Sequence, residues 1–179
     1  FYDDFTIGDT TLATSDPVGV FIAKMNGSLE TVWAFQLHGT YLSTEAYAEL
    51  DNVGNLYLGG NFSEDIFFGD QTFSAGEFNQ DVYLAKYDNN GDLLWARHGQ
   101  GIASDQVVGL GVDVNDNVYM TGHFLDTLHF DGITIPYTLC CGSREVYIIN
   151  YTHDGSAWWG EQMDGARTAL HAMTMNTAN

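Results

Sequence analysis

The sequence predicts an all-β fold, a β-propeller fragment of about three four-stranded blades forming an incomplete ring. Three observations predict it. Aromatic and glycine positions recur about every 62 residues, the kind of self-similarity that marks repeat architectures. Short apolar and aromatic runs alternate with Asn/Asp/Gly turns, as hairpins require. No sustained 3.6-residue apolar period signals a long helix. Composition agrees: the 179 residues are 45% hydrophobic and 14% aromatic, with 20 Gly, which suits packed strands and tight turns rather than disorder.

Three segments align on their own residues. Phe21-Ile22-Ala23-Lys24-Met25, Tyr83-Leu84-Ala85-Lys86-Tyr87 and Tyr147-Ile148-Ile149-Asn150-Tyr151 are each followed 12 residues on by a tryptophan, Trp33, Trp95 and Trp159. Trp33 and Trp95 are followed 24 residues later by Tyr57 and Tyr119, and the pairs Phe62/Phe124 and Phe68/Phe130 are again 62 apart. Each unit reads as four short strands. In the second unit these are Val82–Tyr87 and Leu93–Arg97, joined at Asp88-Asn89-Asn90-Gly91-Asp92, then Val107–Val112 and Val118–Gly122, joined at Asp113–Asn117. Asn and Gly tolerate the positive φ such turns need. Four strands per unit of this length is the pattern of a propeller blade, with repeats near 5–66, 67–128 and 129–179, the last truncated, so that 1–179 forms part of one propeller. Small Gly109 and Gly111 suit an innermost strand, and one tryptophan per unit suits packing between successive blades. Propellers need about four to eight blades to close. The expected partners are therefore the remaining blades of the same propeller, or other protein chains, covering faces that would otherwise stay exposed.

Charge limits what the chain can bind. Twenty-four Asp+Glu against 5 Lys+Arg give a net charge of −19. Five scattered cations cannot neutralise a run of phosphates or hold an anionic lipid surface, so no nucleic acid is expected as a partner. No apolar run approaches the roughly 18 residues of a membrane-spanning helix, and no membrane insertion is expected.

Asp81-Val82-Tyr83-Leu84-Ala85-Lys86-Tyr87-Asp88 with Gly91-Asp92-Leu93-Leu94-Trp95-Ala96, and Asn117-Val118-Tyr119-Met120-Thr121-Gly122, resemble the SBBP (seven-bladed β-propeller) repeat. The lead-in Phe68-Gly69-Asp70-Gln71-Thr72-Phe73-Ser74-Ala75-Gly76 resembles the version common in secreted Bacteroidetes surface proteins. The third unit departs, with Asn150 where Lys24 and Lys86 stand. The resemblance implies a secreted or cell-surface propeller and brings no catalytic residues with it.

Candidate chemistry is sparse. Adjacent Cys140 and Cys141 lie in a stretch two residues longer than its counterpart. They could form a vicinal disulfide stiffening a loop, remain free thiols, or pair with cysteines on other blades. Tyr137 and Trp158 could stack on sugars, or simply pack within and between blades. Asp88, Asn90 and Asp92 place oxygens at alternate positions, which suits calcium, although Asx-turn geometry accounts for them without metal. No other cofactor is expected. The six histidines show no HxH or HExxH spacing, and no nucleophile elbow, phosphate loop or dinucleotide fingerprint occurs. The sequons at Asn26, Asn61 and Asn150 are permissive signals. With the compartment that the resemblance implies, the expected function is a non-catalytic extracellular or cell-surface module for binding, adhesion or surface assembly. The alternative is a quinoprotein-like or glycosidase/lyase-like propeller enzyme whose active site draws on blades outside this chain.

Overall fold

The computed structural model describes residues 4–12, 20–138 and 142–163. Its strands pair antiparallel throughout, so the fold is all-β. A small hairpin, β1 (Phe5–Ile7) and β2 (Thr10–Leu12), stands apart. The ladder continues with β3 (Val20–Met25), β4 (Thr31–Leu50), β5 (Leu56–Phe68), β6 (Gln71–Ser74), β7 (Asp81–Tyr87) and β8 (Leu93–Gln100). Then follow β9 (Gln106–Val112), β10 (Val118–Phe124), β11 (Leu128–Phe130), β12 (Ile133–Ile135), β13 (Glu145–Tyr151) and β14 (Ala157–Met163).

Register divides these strands into three stacked units. Sheet I is β3 against the first half of β4, with Val20 opposite Leu37 and Lys24 opposite Trp33. Sheet II runs from the second half of β4 through the first half of β5 to β7 and β8, aligning Glu49, Tyr57, Lys86 and Trp95 in one row. Sheet III is β9-β10-β13-β14 and repeats that row as Gly111, Tyr119, Asn150 and Trp159.

The sequence reading of four strands per unit needs correction on one point. The Phe68–Phe73 lead-in is itself a hairpin: the end of β5 turns onto β6, and β11 turns onto β12 in the next unit. Phe130 pairs with Ile133 across Asp131 and Gly132, both at positive φ, so this two-residue loop has the Asp-Gly chemistry of a type I′ turn. Each extra hairpin also pairs backward with the preceding unit's outer strand, His38 and Gly39 with β5, and Gly99 and Gln100 with β11. A second difference has the same origin. Because β4 and β5 run on without a break, sheets I and II share one continuous ladder.

The strand β7 is buried along its whole length, and alternation sends its side chains to opposite sides. Tyr83, Ala85 and Tyr87 join Leu56, Leu58 and Phe62 in a core with Ile22, Trp33 and Phe35 of sheet I. Val82 and Leu84 join Tyr57 and Trp95 in a core with Leu110, Met120, Tyr147 and Ile149 of sheet III. A recurrent close approach sits inside each sheet. Gly60 faces Tyr83 and Gly122 faces Tyr147 across the ladder, and a Cβ on either glycine would lie 2.6 or 2.7 Å from the tyrosine. At Gly122 the backbone O of Gln106 would lie nearer still, at 1.8 Å, so a side chain has no room there.

Candidate interaction surface

Five hairpin turns among the described residues share one geometry, at Asn26–Glu30, Asp51–Asn55, Asp88–Asp92, Asp113–Asn117 and Thr152–Ser156. In each, the first residue's N–H donates to the fifth residue's carbonyl and the fourth residue's N–H donates to the first residue's carbonyl. The fourth residue has positive φ: Leu29, Gly54, Gly91, Asp116 and Gly155. A side-chain oxygen closes the loop. Asp88 Oδ1 accepts the N–H groups of Asn90 (2.8 Å) and Asp92 (2.9 Å), and Asp51 and Asp113 do the same in their turns. These bonds favour the ionised carboxylates. The Asp92 amide, followed by Asn90, holds Asp88 below the usual carboxylate value. For Asp51 and Asp113, desolvation pushes upward but the hydrogen bonds outweigh it, and both are lowered. Asp88, Asn90 and Asp92 thus come together as turn-closing groups whose oxygens and amides serve one another. Among the described residues no three His, Cys, Asp or Glu side chains cluster to hold a metal ion.

The forward faces of sheets I and II, the ones turned to the following sheet, each meet such a turn. Trp33 Nε1 donates to Asn89 O (3.0 Å) and Trp95 Nε1 donates to His153 O (3.3 Å). The turn glycine lies against the indole in both cases, so a Cβ on Gly91 would sit 3.1 Å from Trp33 and one on Gly155 2.8 Å from Trp95. Lysine accompanies tryptophan: Lys24 Nζ bonds Asn89 through its carbonyl and Oδ1, and Lys86 Nζ donates to His153 O. Lys86 also pairs with Asp51 at 3.2 Å and donates to Tyr57 Oη at 2.8 Å, with both charged side chains buried. Tyr57 Oη in turn donates to Asp116 O of the next inner turn, and burial followed by the neighbouring acids pushes its phenol well up. Arg97 adds a bond to Gly155 O (2.7 Å) and an ion pair with Asp131 (3.2 Å).

The other candidates fall on different elements. Tyr137 packs edge-on against Phe124 and donates to Ser143 O (2.8 Å). Cys140 and Cys141 themselves lie outside the described residues. Trp158 is 63% exposed on the outer strand β14, where the preceding units expose Leu94 and Val32. Asn61 and Asn150 are buried, so those two sequons are closed to modification, while Asn26 is exposed.

Sequence reasoning missed a buried polar cluster. His98 Nε2 meets Asp81 Oδ2 at 2.7 Å, and Asp105, fully buried, ties the incoming chain together through Gln80 O and the Leu125 amide. Its Oδ2 has no hydrogen-bond partner. Desolvation, reinforced by Asp81 and Asp126, pushes Asp105 up to about 8. The third unit has Glu145 and Gln162 at the places of Asp81 and His98, joined through Thr138. Spacing alone gave no signal, because the acids come from different loops.

No known family profile matches the sequence. A stretch of 90 residues, 45% of the chain, is 29% identical to an uncharacterized WD repeat-containing protein of Acanthamoeba polyphaga mimivirus. The chain spans 6% of that protein's length.

Proposed function

We propose that the chain forms part of a β-propeller of about three four-stranded blades here, and that it serves as a non-catalytic binding, adhesion or assembly module at a cell surface or outside the cell. One observation carries the reading. The contact between successive sheets, an indole N–H on a turn carbonyl with a glycine against the ring, occurs twice with the same partners at repeat spacing. Sheets stacked by a repeated contact are what blades about an axis require. The stretch shared with a WD repeat-containing protein and the likeness to the SBBP repeat support the same architecture. The strongest polar groups support a structural rather than chemical use, since Lys86 and Arg97 tie turns to sheets and Asp51 and Asp88 close their own turns. The remaining blades of the propeller or other chains are the first partners, and exposed Trp158 offers a stacking plane for glycans.

The test has two arms. The structure of the complete protein is expected to show these sheets around an axis with an empty channel. A metal or cofactor ringed by converging acid and base groups would replace this reading with the enzyme alternative. Glycan titrations followed by tryptophan fluorescence are expected to lose their response in Trp158→Ala, and an unchanged response removes Trp158 from the binding surface.

A further inference from the structure

We propose that the exposed turn at Asn26–Glu30 is a site of spontaneous covalent modification, in which the Gly27 main-chain nitrogen attacks the Asn26 side-chain amide. The reaction involves this turn alone and does not depend on the propeller reading.

The four turns that open on Asn or Asp use their amides in one pattern. The first and fourth N–H groups go to main-chain carbonyls. The third and fifth go to the first residue's side-chain oxygen. The second residue's amide has no part in the pattern. Among these turns, Asn26–Glu30 is the one whose first residue is asparagine and whose second is glycine. Its fourth place, glycine at Gly54 and Gly91, is held by Leu29 instead. Nucleophile and electrophile therefore stand side by side. The Gly27 nitrogen lies outside the turn's bonding pattern, on an exposed residue where a Cβ would meet nothing within 4 Å, and its neighbour is a neutral carboxamide.

The bonds around Asn26 suit the attack. Its Oδ1 accepts the N–H groups of Ser28 (2.9 Å) and Glu30 (3.0 Å). The first of these closes a ring that contains both Asn26 Cγ and Gly27 N, so the carboxamide is folded back over the peptide that attacks it. Attack at Cγ places negative charge on Oδ1, and two donors already aimed at that oxygen stabilise it, in the manner of an oxyanion hole. In the step, Gly27 N gives its proton to solvent base and bonds to Cγ. The Cγ–Nδ2 bond breaks, and the nitrogen leaves as ammonia with a proton taken from water. Water then opens the succinimide, at Cγ to leave aspartate at position 26, or at the main-chain carbonyl to leave isoaspartate. Either product loses the bond from Nδ2 to Glu30 Oε2 (2.8 Å) and sets two carboxylates against each other.

The chain holds a second Asn-Gly pair, Asn90-Gly91, and its geometry is opposite. Gly91 is the fourth residue of its turn, so its N–H is bound to Asp88 O (3.0 Å), and it lies against the Trp33 indole. The Asn90 carboxamide is drawn away from Gly91 by its bond to Asp88 Oδ2 (3.1 Å). Two pairs that read alike in sequence are thus poised and protected, respectively.

The experiment incubates the folded chain in mildly alkaline buffer and follows its peptides by mass spectrometry, with fragmentation that separates aspartate from isoaspartate. Asn26 is expected to convert at least about tenfold faster than Asn90, because orientation governs such attacks. In urea the two rates are expected to converge, Asn26 slowing and Asn90 speeding up. Gly27→Val is expected to abolish conversion at Asn26 while leaving the thermal midpoint in place. Conversion of Asn90 as fast as Asn26 in the folded chain, faster conversion of Asn26 in urea than in the fold, or undiminished conversion in Gly27→Val overturns the proposal.

Discussion

Trp95 and Trp159 occupy the same place on the same kind of strand, yet of the two only the Trp95 indole N–H has a hydrogen-bond partner among the described residues. Both lie beside a tyrosine from the second strand of their sheet, at nearly equal distance and angle. Among the described residues, Trp95 alone of the two has a following turn against its face and a carbonyl for its N–H. The difference teaches that a sheet arranges its own row of side chains, whereas satisfying that row falls to the next repeat.

The comparison can be broken most strongly at the buried acids. The second unit joins Asp81 to His98 and buries Asp105 nearby, whereas the third joins Glu145 to Gln162 through Thr138. Asp105 keeps its proton in the fold up to about pH 8 and, above about pH 4, releases it on unfolding. Stability from this group is therefore complete below about pH 4 and falls as pH rises toward 8, by about 1.4 kcal/mol per pH unit. Urea unfolding of Asp105→Asn across pH 5–8 is expected to show that slope removed; an unchanged slope would place the proton elsewhere.

Lys86→Asn imports the residue of the third unit into the second. It strands the buried Asp51 carboxylate and removes the bond to His153 O, and is expected to cost about 3–5 kcal/mol in chemical denaturation. A loss below about 1 kcal/mol would mean that the pair contributes no net stability.

Two glycines of similar φ sharpen the point further. Gly155 has Trp95 against it and Gly132 has open space. Alanine at Gly132 is expected to cost about 1–2 kcal/mol for the left-handed backbone alone. At Gly155 the crowding adds about 1–3 kcal/mol more, and equal losses at the two sites would show that the turn does not bear on the indole. The smallest effect belongs to the tryptophans themselves. Trp95→Phe is expected to cost about 1–2 kcal/mol, for its hydrogen bond and lost contact area, and Trp159→Phe in the same chain less than about 0.5 kcal/mol, both read from thermal midpoints.

Much of the fold was legible. The constant offsets of Trp33, Trp95, Tyr57 and Tyr119 mark equivalent places in stacked sheets, and Asp88-Asn89-Asn90-Gly91-Asp92 reads as a turn because its side chains close the loop locally. The hairpin at Phe68–Phe73 was not legible as two strands, since β6 is short and its partner, the end of β5, takes its other partner from the preceding unit. The candidate surface was half legible: the change from Lys86 to Asn150 stands in the sequence, but that lysine's bonds to Asp51 and His153 do not.

Local chemistry, by itself, determined the strands, the turns and their period, because alternation, β-branching and the positive φ of Gly91 and Gly155 act within a few residues. Tertiary structure alone decided which acids are buried together and which turns cap Trp33 and Trp95. Those outcomes depend on groups some 60 residues apart meeting across a stack, and no short-range pattern encodes that meeting.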